Sequence, residues 1–251
     1  LAIKLNAYNL ERETIEQQIF EEAKIEIEKS EKDKTCIVVG KENWHHGIIG
    51  IVASKVTEMY FKPSILVCFE GEEGKGSGRS IPGFDLHEAL MKCGNELEKF
   101  GGHAMAVGIT VGKANFEKFK NELEQYAKEK NIDKIVPVIN VDSELSLKNV
   151  NLENEKSLKT LEQYGEANKM PLFLFKNLKI SAIRALSEGK HLKLTLKDDR
   201  FIVNAIGFNM GELSEEYMLD DKVDIVGNLD LNMFNGNESV QIILKDIRKS
   251  Y

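Results

Sequence analysis

Across its first half the chain alternates short, uninterrupted apolar runs with segments of helical period, and few architectures accept that rhythm. Thr35 to Val39 and Ser64 to Phe69 are apolar without alternation, as strands buried on both faces are. A third strand is expected over 75–81, after a turn at Gly71 to Gly74, and a fourth from Ala104 to Val111. Between them the spacing predicts a helix from Ile48 to Tyr60, stopped by Lys62-Pro63, because the residue before proline disfavours helix. Asp85 is positioned to cap a further helix running to about Lys99. Phe116, Phe119, Leu123 and Tyr126 mark one apolar face of another, ending near Lys130. Ahead of them all, 9–32 reads as one long helix, with Asn9 as its N-cap and Ile15, Ile19, Ala23 and Ile27 as its buried stripe. Strands alternating with helices demand an α/β layer.

A linker is expected near 131–137, and after it the pattern changes. Val138 to Leu145 reads as extended and Leu152 to Tyr164 as helical. Five alternating strands follow, at about 173–185, 190–197, 200–207, 222–231 and 239–248. Their turn signals are Gly189, Asp198-Asp199 and Asn235-Gly236-Asn237. Five short strands at this spacing suit an OB-like β-barrel. The expected fold class is therefore α/β, a mixed sheet with helices over 35–135, followed by a small OB-like β-barrel domain with a preceding helix over 136–251.

The net charge of −7 and a pI near 5.5 exclude a protein that holds nucleic acid by bulk positive charge, so any such site must be local. Much of the acid lies between Glu11 and Asp33, mixed with lysine along a helix. No run approaches the roughly 18 apolar residues that span a bilayer, so no membrane contact is expected. No signal peptide is visible. Cys36, Cys68 and Cys93 are odd in number and scattered, which we read as reduced thiols in the cytoplasm. A start at Leu1 and not Met is read as the mark of a piece of a longer protein.

Three stretches carry chemistry. Gly101-Gly102-His103 joins an expected helix to an expected strand; two glycines let backbone N–H groups approach a ligand, and His103 adds a donor that titrates near neutrality. Gly74-Lys75-Gly76-Ser77-Gly78-Arg79-Ser80 offers hydroxyls, an ammonium and a guanidinium, the last matched to bidentate phosphate contact. Asn43-Trp44-His45-His46-Gly47 precedes a helix N-terminus, where donors suit an anion. Each also has a plain structural reading: a Gly-Gly turn, a solvated hairpin tip, a tryptophan plugging the core.

Taken together, Trp44-His45-His46-Gly47-Ile48-Ile49-Gly50, Lys75-Gly76-Ser77-Gly78-Arg79-Ser80-Ile81-Pro82-Gly83-Phe84 and Phe100-Gly101-Gly102-His103 resemble the DHHA1 domain of RecJ-type single-strand-specific DNA exonucleases. Leu5 to Arg12 resembles the start of that family's connecting helix, here 1–34, and His191 to Ile242 its OB-like domain. The resemblance implies that Gly101, Gly102 and His103 face the catalytic domain and the scissile strand, with His103 in a supporting catalytic role. It implies that Ser77 and Arg79 contact the substrate's 5′-terminal phosphate, with Arg12, Trp44, His45 and Ser80 near the same cleft. One departure is Ala106-Val107-Gly108, where the family usually reads Ala-Ala-Gly.

No Asp-His-His triplet and no metal-ligand cluster is present. The resemblance places the divalent metal, Mn or Mg, in an N-terminal DHH domain absent from this chain, so no cofactor is expected here. The implied function is the nucleic-acid-binding part of a metal-dependent 5′-to-3′ single-stranded-DNA exonuclease of repair and recombination, inactive alone, with single-stranded DNA and the DHH domain as partners. The alternatives are a non-catalytic nucleic-acid-binding module, or part of a DHH/DHHA1 phosphodiesterase acting on short oligonucleotides or dinucleotides. His87 reads as structural and His191 as facing solvent on a strand. In the barrel, Phe173, Phe175, Phe201, Phe208 and Phe234 are candidate stacking residues, with core the expectation for at least three. Lys176, Lys179, Arg184, Lys190, Lys193 and Lys197 make its first half basic.

Overall fold

The structure is a computed structural model; it describes all residues but Glu166, Asn235 and Tyr251, and the side chain of Phe234. The chain divides into two compact units, Leu1–Pro137 and Val138–Tyr251. In the first, the order is α1 (Ala2–Ser30), β1 (Ile37–Glu42), α2 (Ile49–Tyr60), β2 (Ser64–Glu70), β3 (Glu73–Arg79), α3 (Leu86–Cys93), β4 (Leu97–His103), β5 (Ala106–Gly112) and α4 (Phe116–Glu129). The sheet runs β1-β2-β3-β5-β4; β1 and β2 are parallel and all other pairs antiparallel.

Both faces of this sheet are covered at β2, which is why β2 reads as a continuous apolar run. Leu66 and Cys68 join Ile19, Ala23 and Ile27 of α1 and Ile49, Val52 and Val56 of α2 in one core. Ile65, Val67 and Phe69 join Leu86, Leu90, Phe119 and Leu123 in the other. The alternating glycines of β3 belong to the second core. A Cβ at Gly74, Gly76 or Gly78 would come within 2.6, 2.6 or 2.8 Å of Phe69, Ile109 or Val107. Neighbouring strands fill that space, and Lys75, Ser77 and Arg79 are left on the α2 side.

Two expectations need correction here. The first helix starts at Ala2, so Asn9 is not its cap. Instead the Asn9 amide donates to Glu13 and accepts from Arg12, the one-turn pairing of a helix surface. Second, the Asp85-capped helix ends at Cys93, not Lys99, and an edge strand follows it. Gly94 breaks the helix. Apart from half-buried Leu97, β4 is wholly exposed, so it carries no apolar alternation to announce it. Gly101 and Gly102 are thus strand residues, and the turn is the pair Ala104-Met105. That turn is pinned by N–H groups from Ser80 to the Met105 carbonyl and from Leu86 to the Ala104 carbonyl, both at 3.0 Å.

Glu22 ties α1 to the sheet. It accepts from Gln18 (3.0 Å), Lys41 (2.9 Å) and the indole of Trp44 (3.0 Å), and these bonds, Gln18's first, hold its carboxyl down at about 2. A carboxylate lowered on folding stabilises the fold above its ordinary value of 4.5, and this contribution is lost as pH falls from there toward 2. Trp44 is the single tryptophan. Its emission is therefore expected to shift across that acid window, and Glu22→Gln is expected to abolish the step; an identical titration in the variant would refute the assignment.

In the second unit, β7 (Phe173–Leu186), β8 (His191–Lys197), β9 (Ile202–Gly207), β10 (Lys222–Phe234) and β11 (Asn237–Lys249) close in the order β7-β8-β9-β11-β10-β7. This is a five-stranded OB-like barrel. Its core includes Phe175, Ile180, Leu192, Leu194, Leu196, Ile225 and Ile242. The expected strand over Val138 to Leu145 is only β6 (Ser143–Glu144), parallel to β7. The expected helix to Tyr164 is α5 (Leu152–Leu158) and one tighter turn, Lys159–Leu161. The turn signal at Asn235 lies outside the described residues.

Candidate functional site

Strand register builds the site. Arg79 pairs with Ala106, which pairs with His103; Ser77 pairs with Gly108, which pairs with Gly101; Lys75 pairs with Thr110, which pairs with Lys99. Directly opposed residues share a face, so three rows of outward groups cross β3, β5 and β4 on the side that carries α2. Rows two residues apart are separated by about 7 Å. The centre line is small, Ala106 and Gly108, and the rims are polar or cationic. A cavity of about 370 Å³ lies over the Ser77 and Lys75 rows, with His46 and Ile49 from the start of α2 as its wall. The Arg79 row adjoins it.

Arg79 is half-buried and its Nη1 donates to Ser77 Oγ (3.1 Å) and to the Gly78 carbonyl (2.8 Å). Among the described residues no carboxylate lies within ion-pair distance of it. A guanidinium has five N–H donors, so most remain unspent. Gly50, in the first turn of α2, keeps this pair open: a Cβ there would stand 3.1 Å from Ser77 Oγ and 3.2 Å from Arg79 Nη2. Gly50 closes the Trp44-to-Gly50 stretch that carries the family resemblance, but nothing in the sequence assigns it a role of its own. The α2 N-terminus adds its dipole to the same place.

The floor is kept empty in a way packing does not explain. A Cβ on Gly101 would meet nothing within 4 Å, and one on Gly108 only the Gly76 carbonyl at 3.9 Å. Neither has a positive φ. Gly102 differs: its φ is +140° and a Cβ would lie 2.3 Å from the Ala106 carbonyl oxygen. Val107 points into the core, so the departure from Ala at this position puts no bulk into the trough.

The other expected site residues are placed as follows. His103 is exposed at the end of the Arg79 row. His45 is exposed at the mouth of α2, with Nδ1 accepting from the Gly47 N–H at 3.2 Å. His46, which the sequence ranks behind its neighbour His45 because His45 carries the family match, is the histidine that lines the cavity. Trp44 is only 5% exposed, so direct ligand contact is not open to it; it seats the residues before α2. Ser80 is also 5% exposed, and its hydroxyl donates to the Phe84 carbonyl at 2.7 Å. Arg12 donates to Glu16 Oε2 at 2.5 Å, and Lys55 of α2 reaches the other oxygen of that buried carboxylate at 2.5 Å. No contact brings Arg12 to the trough. His87 lies on α3 with its ring 6.1 Å from Phe100, in keeping with a structural role. His191 is not simply solvent-facing: it is half-buried, and its Nδ1 accepts from the Asn209 N–H at 3.0 Å.

On the barrel, Phe173 and Phe175 are core, whereas Phe201 and Phe208 are exposed at the two ends of β9. The core expectation thus meets two of the four described phenylalanines. Arg184 of β7 opposes Lys193 of β8 on the outer face, an unfavourable pairing in isolation. Lys176 and Lys179 are neutralised by Glu144 and Asp220, both within 2.8 Å. A larger groove of about 740 Å³ beside them is also lined by Lys197 and by Asp198 and Asp199 of the β8–β9 connection, so the positive charge of this face lies on Arg184 and Lys193, away from that end.

The trough can bind and orient an anion through a fork of N–H donors, a hydroxyl and a helix N-terminus. Among the described residues no group of three His, Cys, Asp or Glu is placed to hold a metal ion, and no helix is long and apolar enough to cross a membrane.

Comparison with known proteins agrees with this architecture. Residues 33–129 match the DHHA1 domain and residues 141–246 the RecJ OB domain. The chain is similar to the single-stranded-DNA-specific exonuclease RecJ of Bacillus subtilis, 32% identical over 250 residues that cover 98% of this chain and 32% of that protein. It is similar to RecJ of Thermus thermophilus, 31% identical over 246 residues, with 98% and 34% covered. The crystal structure of Thermus thermophilus RecJ with Mn2+ superposes with a TM-score of 0.80 at 30% identity, covering 99% of this chain and 36% of that one. The chain therefore spans about a third of the length of these relatives. It belongs to the RecJ family and corresponds to the C-terminal part of its members, a DHHA1 domain followed by an OB domain.

Proposed function

We propose that this chain is the strand-positioning part of a metal-dependent 5′-to-3′ single-stranded-DNA exonuclease of repair and recombination in the cytoplasm, whose DHH domain supplies the Mn or Mg. The observation that carries this reading is the half-buried Arg79 guanidinium, unpaired with any described carboxylate and set beside Ser77 over a glycine floor. A 5′-terminal phosphate accepts from Arg79 and Ser77, and His103, across the trough, faces the strand toward the catalytic domain. Fixing one phosphate fixes the next phosphodiester relative to the metals, a proximity effect. The chain alone hydrolyses nothing; release of nucleotides from single strands by the pure chain with manganese would contradict this.

The barrel favours a long strand over a dinucleotide. Its β8–β9 face combines exposed Phe201 and Phe208 with Lys193, Lys197 and Arg184, the stacking and charge that single strands need. Arg184→Glu with Lys193→Glu is expected to weaken binding of a 20-nucleotide strand by about tenfold or more at low salt. Unchanged affinity would remove the barrel face from the strand path.

A further inference from the structure

We propose that the row Lys75–Thr110–Lys99, with His46, is a second phosphate subsite that takes an internal phosphodiester of the strand whose end sits on Ser77 and Arg79. This rests on the reading of the trough just given and specifies its substrate as a chain of phosphates instead of a single terminal one.

Register places Lys75 and Lys99 on the same face with only Thr110 between them. Two ammonium groups flanking one short side chain set a positive potential over Thr110 that favours an anion there. The chain itself does little to neutralise them. Lys75 has Glu73 at a loose 3.7 Å, with both side chains half exposed to solvent. Lys99 has no carboxylate within ion-pair distance among the described residues. No acidic residue lines the cavity that lies on this row, and His46 adds a ring from the opposite wall.

Spacing points the same way. The lysine row stands one step, about 7 Å, beyond the Ser77 row, the scale of one nucleotide of an extended strand. Along the Ser77 row the backbone is bare at Gly108 and Gly101, so a strand can lie against it on its way to the lysine row. The subsite reads charge and not base. Phe100 pairs with Ile109 and so belongs to the opposite face, its ring 6.1 Å from His87, which leaves the His46 imidazole as the ring on this side of the cavity. Lys75, Thr110 and Lys99 themselves offer charge and a hydroxyl, so their contact with the strand is indifferent to base identity.

The test is a double-mutant cycle on the whole chain with 5′-phosphorylated single-stranded oligonucleotides. Each of the first three internal linkages is replaced in turn by a neutral methylphosphonate. In the wild type one of these replacements is expected to weaken binding about tenfold. In Lys75→Gln/Lys99→Gln that penalty is expected to vanish and the salt slope to fall by roughly 0.7 for the one phosphate released. Both lysines are exposed, so the variant's thermal midpoint should stay where it was. If the double variant keeps every neutralisation penalty of the wild type, the subsite is overturned. The advantage of a 5′-phosphate over a 5′-hydroxyl, measured in the same variant, reports separately on the Arg79 site: its persistence with unchanged penalties sinks only the second subsite, whereas its absence in the wild type sinks the reading beneath it.

Discussion

Replacing Gly102 by alanine is expected to destabilise the first unit by about 3 kcal/mol or more, whereas the same change one residue earlier, at Gly101, leaves it folded. At Gly102 the backbone sits at φ +140°, and the new Cβ would lie 2.3 Å from the Ala106 carbonyl oxygen and 2.7 Å from the Val107 Cα. Both are backbone atoms of the paired strand and cannot rotate aside. Relief requires opening the β4–β5 hairpin, whose tip also satisfies the N–H groups of Ser80 and Leu86. At Gly101 the Cβ enters open space, and the unfolded chain loses freedom, so stability holds or rises by about 0.5 kcal/mol. Thermal unfolding of the two variants checks the contrast. Gly101→Leu should also fold, yet fill the trough floor and lose strand binding. Equal destabilisation at both positions would mean that the register deduced for β4 is wrong.

Arg79→Ala is expected to remove nearly all preference for a 5′-phosphate, a loss of about 10- to 100-fold, in line with the roughly 1.5–3 kcal/mol of hydrogen bonds to a charged group. Its donors are spent only on Ser77 and the Gly78 carbonyl, and no ion pair within the fold depends on it, so stability should change little. Arg79→Lys should recover only part of the effect, since an ammonium keeps the charge but not the planar fork. Competition binding with phosphorylated and unphosphorylated strands gives the number. A preference retained in Arg79→Ala would place the terminal phosphate elsewhere.

Much of this was legible in the residues before any coordinates. Ile65, Leu66 and Val67 announce a strand buried on both faces because nothing in the run alternates, and Asp85 announces a helix start because its carboxylate caps the Glu88 N–H, here at 2.8 Å. The barrel strands were legible because Leu192, Leu194 and Leu196 alternate with polar residues. What could not be read was β4. An exposed edge strand has no buried face to impose a period, and two glycines in it look like a turn. The glycines of β3 were legible as a pattern but not in their cause, since only the pairing with β2 and β5 shows that Val67, Phe69, Val107 and Ile109 occupy the space they leave. Trp44 and Ser80 sit inside site motifs yet face inward, a distinction that spacing within a motif does not carry. Gly50 and His46 lie in the motif before and within α2, but their places beside Ser77, Arg79 and the cavity follow only from laying α2 across β3, a long-range packing event that local residue patterns do not encode.

On the proposed reading, the trough beside Arg79 holds the phosphorylated end of a single strand. The most direct measurement is fluorescence-anisotropy binding of this chain to one single-stranded oligonucleotide with a 5′-phosphate and with a 5′-hydroxyl, at low and moderate salt. The phosphorylated strand is expected to bind more tightly by about tenfold or more at low salt, with the advantage shrinking as salt rises. Equal affinity for the two ends at both salt concentrations would contradict it.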